Sequence, residues 1–219
     1  MARIPASAAA NWPQFKVNRP GSMEIISQYL YDSASYIGAG QTSLIFFQVP
    51  IGQSAKTLAD TNMETAGSMP QPKVFLCDTI ELLFFPSYGV ATAVSQGPVA
   101  DAPANFWNDV YSFATHGWLD FFIGSKFYLR DGPLAKFPPR QRLGGAAALT
   151  STMTAGAATA THIDYASVAG MAYDITPVAL EPNQNFNITL NWPVAVALPS
   201  TVAARIVVSL GGQLIRNSQ

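Results

Sequence analysis

The sequence NFNITLNW at residues 185–192 alternates apolar and polar side chains without a break. Its apolar members are Phe186, Ile188, Leu190 and Trp192, and every side chain between them is Asn or Thr. Because successive side chains of a β-strand point to opposite faces, this period of two predicts a strand with one buried face and one wet face. Such strands are typical of antiparallel sheets that have one face in solvent.

Outward from this strand, other segments repeat the same period. In a first strand, Met23, Ile25, Tyr29 and Tyr31 share one face, and residues 24, 28 and 32 (Glu, Gln and Asp) lie opposite. Residues 44–49 are apolar on both faces, as in a strand between two layers. Further strands are predicted at 73–85, at 118–123 and 126–130 around a Gly124-Ser125 hairpin turn, and through Ile206, Val208 and Leu210.

One segment has the period of a helix. Asp101 and Pro103 begin it, Gly117 ends it, and apolar residues between them recur at helical spacing. Many short strands joined by 16 Pro and 16 Gly predict an all-β protein, an antiparallel β-sandwich of jelly-roll type with one short helix. The length favours a single domain at residues 23–219, preceded by an extended N-terminal arm at 1–22.

Charge is scarce in this chain. Only 11% of residues are charged, against about 25% in ordinary soluble domains. This excludes a disordered polar chain, a strongly basic nucleic-acid neutraliser and a charge-rich coiled coil. Spread over the roughly 9,700 Å² surface of a monomer of this size, so few charges favour a surface covered by other subunits. The alternative is a monomer wetted by Ser, Thr, Asn and Gln.

The N-terminal arm differs in charge from the rest of the chain. It contains Arg3, Lys16 and Arg19 and no acidic residue, while the whole chain has a net charge of −1. Trp12 and Phe15 favour an arm that docks on a neighbouring subunit, and the three cations are expected to face inward or to meet nucleic acid. A disordered terminus is the alternative. The arm lacks the apolar core of a signal peptide, and no apolar run is long enough to span a bilayer, so we expect synthesis in a cytoplasm.

Residues 143–163 carry no formal charge and are mostly Ala, Thr and Gly. A segment of this length is a functional loop, a contact between subunits or a flexible tip. Ala147, Thr152 and Ala158 are our candidate subunit contacts, since small uncharged side chains let another backbone approach closely. The flexible loop remains an alternative.

A basic cluster precedes that loop. Lys136, Arg140 and Arg142 lie within AKFPPRQR, where Pro138 and Pro139 favour an extended backbone. Three cations give weak, salt-sensitive contact with phosphates from one chain, and more when many copies repeat them. The other interpretation is a solvated or interface loop.

No catalytic constellation emerges from the sequence. A cupin-type metal site needs several histidines and a carboxylate, and the chain has only His116 and His162, without ligand-like spacing. The single Cys77 predicts a small buried apolar residue. Asp60 and Asn62 are expected to satisfy the backbone of a turn rather than to bind calcium. We therefore predict no enzyme activity, no metal, no cofactor and no small-molecule substrate.

Four segments together resemble capsid proteins of tail-less icosahedral bacteriophages built on upright jelly rolls. They are DTNM at 60–63, GSKFYLRDGPLAKFPP at 124–139, NFNITLNWP at 185–193 and ARIVVSLGGQLIRNSQ at 204–219. Major coat proteins of that lineage commonly hold two jelly rolls in one chain, whereas this length suits one. A single-jelly-roll coat, a compact double one and a minor virion protein all stay open.

The resemblance implies a self-assembling coat subunit in the virion. Its partners would be other copies of the chain, in trimers or pseudo-hexamers, together with other virion proteins, and the genome or an inner membrane would be a weak contact. Two other classes stay open. One is a carbohydrate- or receptor-binding module that uses Trp107 or Trp118 as a sugar platform, and the other is a cupin-like enzyme.

Overall fold

The structure is a computed structural model and describes residues 23–85, 103–144, 147–149, 161–163, 166–169, 171–199, 201 and 203–217. Its strands are β1 (Met23–Tyr36), β2 (Ser43–Phe46), β3 (Val74–Phe85), β4 (Trp118–Ile123), β5 (Lys126–Asp131), β6 (Gln141–Gly144), β7 (Ala147–Leu149), β8 (Thr161–Ile163), β9 (Ala166–Ala169), β10 (Tyr173–Leu180), β11 (Phe186–Asn191) and β12 (Ala204–Asn217). A helix, α1 (Pro103–His116), precedes β4, and a 3-10 turn spans Leu134–Lys136.

Two four-stranded antiparallel sheets form the body of the protein. Sheet 1 has the strand order β1-β12-β3-β10, and sheet 2 has the order β2-β11-β4-β5. The short pairs β6-β9 and β7-β8 lie between β5 and β10 in the chain. The all-β class, the antiparallel β-sandwich and the short helix predicted from the sequence are confirmed.

The strands of the two sheets pair in a nested order. β1 lies beside β12, β2 beside β11, β3 beside β10, and β4 beside β5. The first four strands of the chain therefore lead to the β4–β5 hairpin, and the later strands β10, β11 and β12 pair with β3, β2 and β1 in turn. Two further pairings, β12 with β3 and β11 with β4, join these ribbons into the two sheets.

The alternation at residues 186–191 gives the expected two faces. Phe186, Ile188 and Leu190 are fully buried between the sheets, and the Asn and Thr residues between them are half-buried. Trp192 continues the buried row, with its ring centroid 5.0 Å from that of Tyr36. Phe113 of α1 lies against both rings, so the helix closes this end of the sandwich.

The tyrosines of β1 differ in burial, since Tyr29 is on the outer face and Tyr36 at the end of the strand is fully buried. Leu30 and Asp32 are buried on the inner face, while Tyr29 is 39% exposed on the outer one. The buried carboxylate of Asp32 is stabilised by the backbone N–H of Phe47 at 2.6 Å and by Lys56 Nζ at 2.5 Å. With both partners in place, a charged group occupies a core position without an unpaired charge.

The prediction that residues 44–49 form a strand between two layers was wrong. β2 ends at Phe46 and is an edge strand of sheet 2, and Ile45 on its outer face is 57% exposed. Phe47 takes a positive φ of 70°, which ends the strand. A run of apolar residues alone does not distinguish a central strand from such an edge.

Candidate interaction surfaces

The outer face of sheet 2 has a polar row on β11 and exposed apolar side chains on both edge strands. Asn187, Thr189 and Asn191 of β11 form the central row. Beyond them, Ile45 on β2 is 57% exposed and Phe127 on β5 is 51% exposed. Uncharged amides and hydroxyls beside exposed apolar side chains are a composition that suits contact with another protein surface.

Asp120 organises the charged part of this face. It is 5% exposed. Its Oδ1 accepts a hydrogen bond from Arg130 Nε at 2.8 Å, and its Oδ2 accepts from Asn191 Nδ2 at 3.0 Å and from Trp118 Nε1 at 3.3 Å. The Arg130 guanidinium also lies 4.0 Å from the ring centroid of Phe127. The face therefore holds one internally paired charge couple and an indole whose N–H is already engaged.

Two residues of the basic cluster, Lys136 and Arg140, have carboxylate neighbours. Lys136 Nζ lies 2.7 Å from Asp131 Oδ1. The backbone N–H of Arg140 donates to Glu81 Oε2 at 2.8 Å, and Arg140 Nε lies 4.0 Å from Glu81 Oε1. Each of these two cations has an acidic neighbour within the chain, which reduces the charge they offer to an external phosphate. Arg142 lies on β6.

A groove opens between β10 of sheet 1 and β5 of sheet 2, and we call it the edge groove. It has a volume of about 730 Å³. Tyr173, Ile175, Val178 and Tyr128 contribute apolar and aromatic surface, and the lining also includes Asp174 and Glu181. Sequence reasoning missed this groove, because its walls come from strands far apart in the chain. Pro177 within β10 was the one local signal of an edge strand.

One end of the edge groove is closed by a hydrogen bond between the sheets. Tyr173 Oη donates to Asp131 Oδ2 at 2.8 Å, and the Tyr173 ring packs on Phe137 with 4.5 Å between centroids. Hydrogen bonds from Lys136 and then from Tyr173 lower the pKa of Asp131. The same bond to Asp131 raises the pKa of Tyr173, since loss of its proton would place two negative charges together.

The opposite edge of sheet 1 is covered. Asn62 Oδ1 accepts from the backbone N–H of Tyr31 at 2.9 Å, and Asn62 Nδ2 donates to the carbonyl of Tyr29 at 2.7 Å. Asp60 Oδ2 accepts from both the backbone N–H and the hydroxyl of Thr57 at 3.0 Å. The predicted role in satisfying the backbone of a turn is confirmed for Asp60. The side chain of Asn62 instead bonds to the backbone of β1, so the turn protects the free edge of that strand.

Several predicted contact residues lie outside the described residues: Arg3, Trp12, Phe15, Lys16, Arg19, Thr152 and Ala158. Ala147 begins β7, and Trp107 lies on α1. His116 is exposed at the end of α1, with its Nδ1 3.0 Å from the carbonyl oxygen of Ser112, and His162 lies on β8.

Within the described ranges, no group of three or more His, Cys, Asp or Glu is placed to hold a metal ion. In the same ranges, no helix combines the length and the apolar character needed to cross a membrane.

Comparison with protein-family models, with curated proteins and with solved structures found no match for this chain.

Proposed function

We propose that the sandwich is a jelly roll and that the protein is a coat subunit, which assembles with other copies of itself into the shell of an icosahedral virion. The nested strand order carries the proposal. A long hairpin of four strand pairs, wound so that its strands alternate between two facing sheets, is the arrangement of a jelly roll.

The jelly roll also occurs in lectins and cupins, so the choice among functions depends on the properties of the protein surface. Few charges, an uncharged polar row on sheet 2 and the exposed Ile45 and Phe127 all support association with a like surface. Burying one such side chain contributes about 1.5–3 kcal/mol, and the amides around it supply the polar rim that sets orientation. In this proposal the subunits form trimers or pseudo-hexamers, with the basic arm on the inner side.

The resemblance of four segments to coat proteins of tail-less phages adds support, because three of them occupy the β4–β5 turn with β5, β11 and β12. In the strand order, β11 and β12 are each an inner strand of their own sheet. The virion is then the place where the protein acts, and other virion proteins are its further partners.

The test is light scattering and negative-stain microscopy of the purified protein over a concentration series, at low and high salt. We expect particles or oligomers whose mass rises with concentration. Ile45→Lys places a charge on the outer face of sheet 2 and should raise the concentration needed for assembly by about tenfold or more. Leu58→Lys is the matched control, since Leu58 is 65% exposed in the turn before Asp60.

Two results would count against the coat proposal. A protein that stays monomeric at every concentration and salt is not a shell subunit. A stable monomer that binds glycans on an array would instead favour the carbohydrate-binding module.

A further inference from the structure

The two edge strands of sheet 1, β1 and β10, differ in whether another segment covers them. The turn at residues 57–63 covers β1, where the side chain and backbone of Asn62 bond to Tyr29 and Tyr31. In the described part of the chain, β10 has no strand on its outer side. Its pairing with β3 is interrupted between Asp174 and Val178, and Thr176 and Pro177 there are exposed. The β1 edge is therefore covered by the 57–63 turn, and the β10 edge borders the edge groove.

The lining of the edge groove combines acid with apolar surface. Asp174 and Glu181 contribute carboxylates, and both residues are exposed. Among the residues that the structure describes, no Lys or Arg lines the groove. Around them lie Tyr128, Ile175 and Val178, with Tyr173 at the closed end. A volume of about 730 Å³ is enough for two or three large side chains of an extended peptide. The chemistry that fits is a cationic segment with aromatic residues.

One segment of this chain has that chemistry. Residues 1–22 contain three cations, no acid, and the aromatic residues Trp12 and Phe15. Two other long segments, 86–102 and 143–163, contain no Lys or Arg to set against the two carboxylates. We infer that the edge groove receives residues 1–22 of a neighbouring copy, an inference that rests on the proposed function and names its contact.

The position of residue 22 at the start of β1 favours the groove of a neighbouring copy over the groove of the same chain. Residue 22 precedes Met23 at the start of β1, and β12 and β3 separate β1 from β10 by about 14 Å of sheet. To reach its own groove, the arm would have to turn back over two strands. A neighbour whose β10 edge lies beside β1 meets it directly, and a 22-residue extended segment reaches up to about 75 Å. Such a contact is heterologous, and it forms a ring where the rotation between successive copies closes.

The first experiment measures assembly of the full chain by light scattering. Asp174→Asn with Glu181→Gln removes the two carboxylates of the groove and should raise the concentration for assembly about fivefold, with a smaller difference at high salt. Glu24→Gln with Glu64→Gln makes the same change in net charge away from the groove. Equal effects of the two double variants would overturn the groove contact and leave the coat proposal standing.

The second experiment identifies the occupant by disulfide cross-linking. Cys77 is buried, so it does not compete with cysteines placed on the surface. Gln14→Cys in one copy and Thr176→Cys in another should give a heterodimer on oxidation. A double variant that links only within one chain would overturn the inference, since the arm then fills its own groove. Linkage of Ser151→Cys to Thr176→Cys in place of Gln14→Cys would overturn it in favour of the 143–163 loop. Absence of any linkage in a protein that still assembles would also overturn it.

Discussion

Tyr173 donates its hydroxyl proton to Asp131 across the open edge of the sandwich, with 2.8 Å between Oη and Oδ2. Tyr173 begins β10 in sheet 1, and Asp131 ends β5 in sheet 2. The same carboxylate accepts from Lys136 Nζ at 2.7 Å and from the backbone N–H of Gly132 at 2.8 Å. Asp131 therefore joins the two sheets beside the edge groove.

Tyr173→Phe removes the bond between the sheets and keeps the ring on Phe137. We expect the free energy of unfolding to fall by about 1 kcal/mol, the usual net contribution of one hydrogen bond, and the pKa of Asp131 to rise. Urea denaturation and NMR titration of the carboxyl group measure the two effects. Tyr128→Phe is the control, because Tyr128 is 49% exposed on the same groove. Equal losses of stability in both variants would contradict the role of the Tyr173 bond.

The sequence predicted the elements of the fold better than their arrangement. β11 and α1 were found because each follows one clear period over its whole length. The faces of β1 depend on partners that no local pattern contains, since Asp32 is held in the core by Phe47 and Lys56. The nested pairing also depends on residues far apart, as where Tyr36 of β1 pairs with Ala204 of β12.

The candidate surfaces also divide into features made by local contacts, which the sequence predicts, and features made by distant strands, which it does not. The turn around Asp60 and Asn62 was predictable because its hydrogen bonds within residues 57–60 are local. The edge groove was not, because it forms only when β5 and β10 come to the same side of the sandwich. Nor does the sequence show that Lys136 and Arg140 have carboxylate neighbours, one of them on β3.

Acid should weaken the attachment of the 57–63 turn to sheet 1. Burial alone would raise the pKa of Asp60, but hydrogen bonds from Thr57 and Ser33 and the charge of Arg205 hold that pKa below its usual value. A lowered pKa in the folded state means that the stabilisation is present above about pH 4 and is lost as the pH falls through the folded value. Unfolding free energy, measured from pH 7 to pH 2, should show this loss.

Asp60→Asn is the variant for this acid effect. It leaves Arg205 Nη2, now 3.2 Å from Asp60 Oδ1, without its anionic partner. We expect a loss of about 3 kcal/mol at pH 7 and a shallower fall in stability below pH 4. Glu24→Asn, which breaks the exposed pair with Arg216, is the control and should cost less than about 1 kcal/mol. An unchanged acid profile in Asp60→Asn would contradict the assignment.

Cys77 should react with thiol reagents only when the protein opens. It is fully buried in β3, and that burial raises the pKa of its thiol far above the usual value. Because the thiolate is the reactive form, we expect modification at pH 8 to be at least about 1,000-fold slower in the native protein than in denaturant. Thr176→Cys adds an exposed thiol as a positive control. Equal rates for the two cysteines in the native state would show that β3 is not in the core.

Gly212→Ala should test whether β12 and β3 pair in the register described. A Cβ at Gly212 would lie 2.0 Å from the carbonyl oxygen of Leu76, which belongs to the facing strand. The clash is with backbone, so the central pair of sheet 1 must separate to relieve it, and we expect a loss of about 3 kcal/mol in unfolding free energy. Gly124→Ala is the control, because a Cβ at Gly124 would have no atom within 4 Å. The only expected loss there, about 1 kcal/mol, comes from the positive φ of +59°. If both variants lose the same stability in urea, β12 does not approach β3 at Gly212, and the pairing that joins the β1-β12 and β3-β10 ribbons into sheet 1 is contradicted.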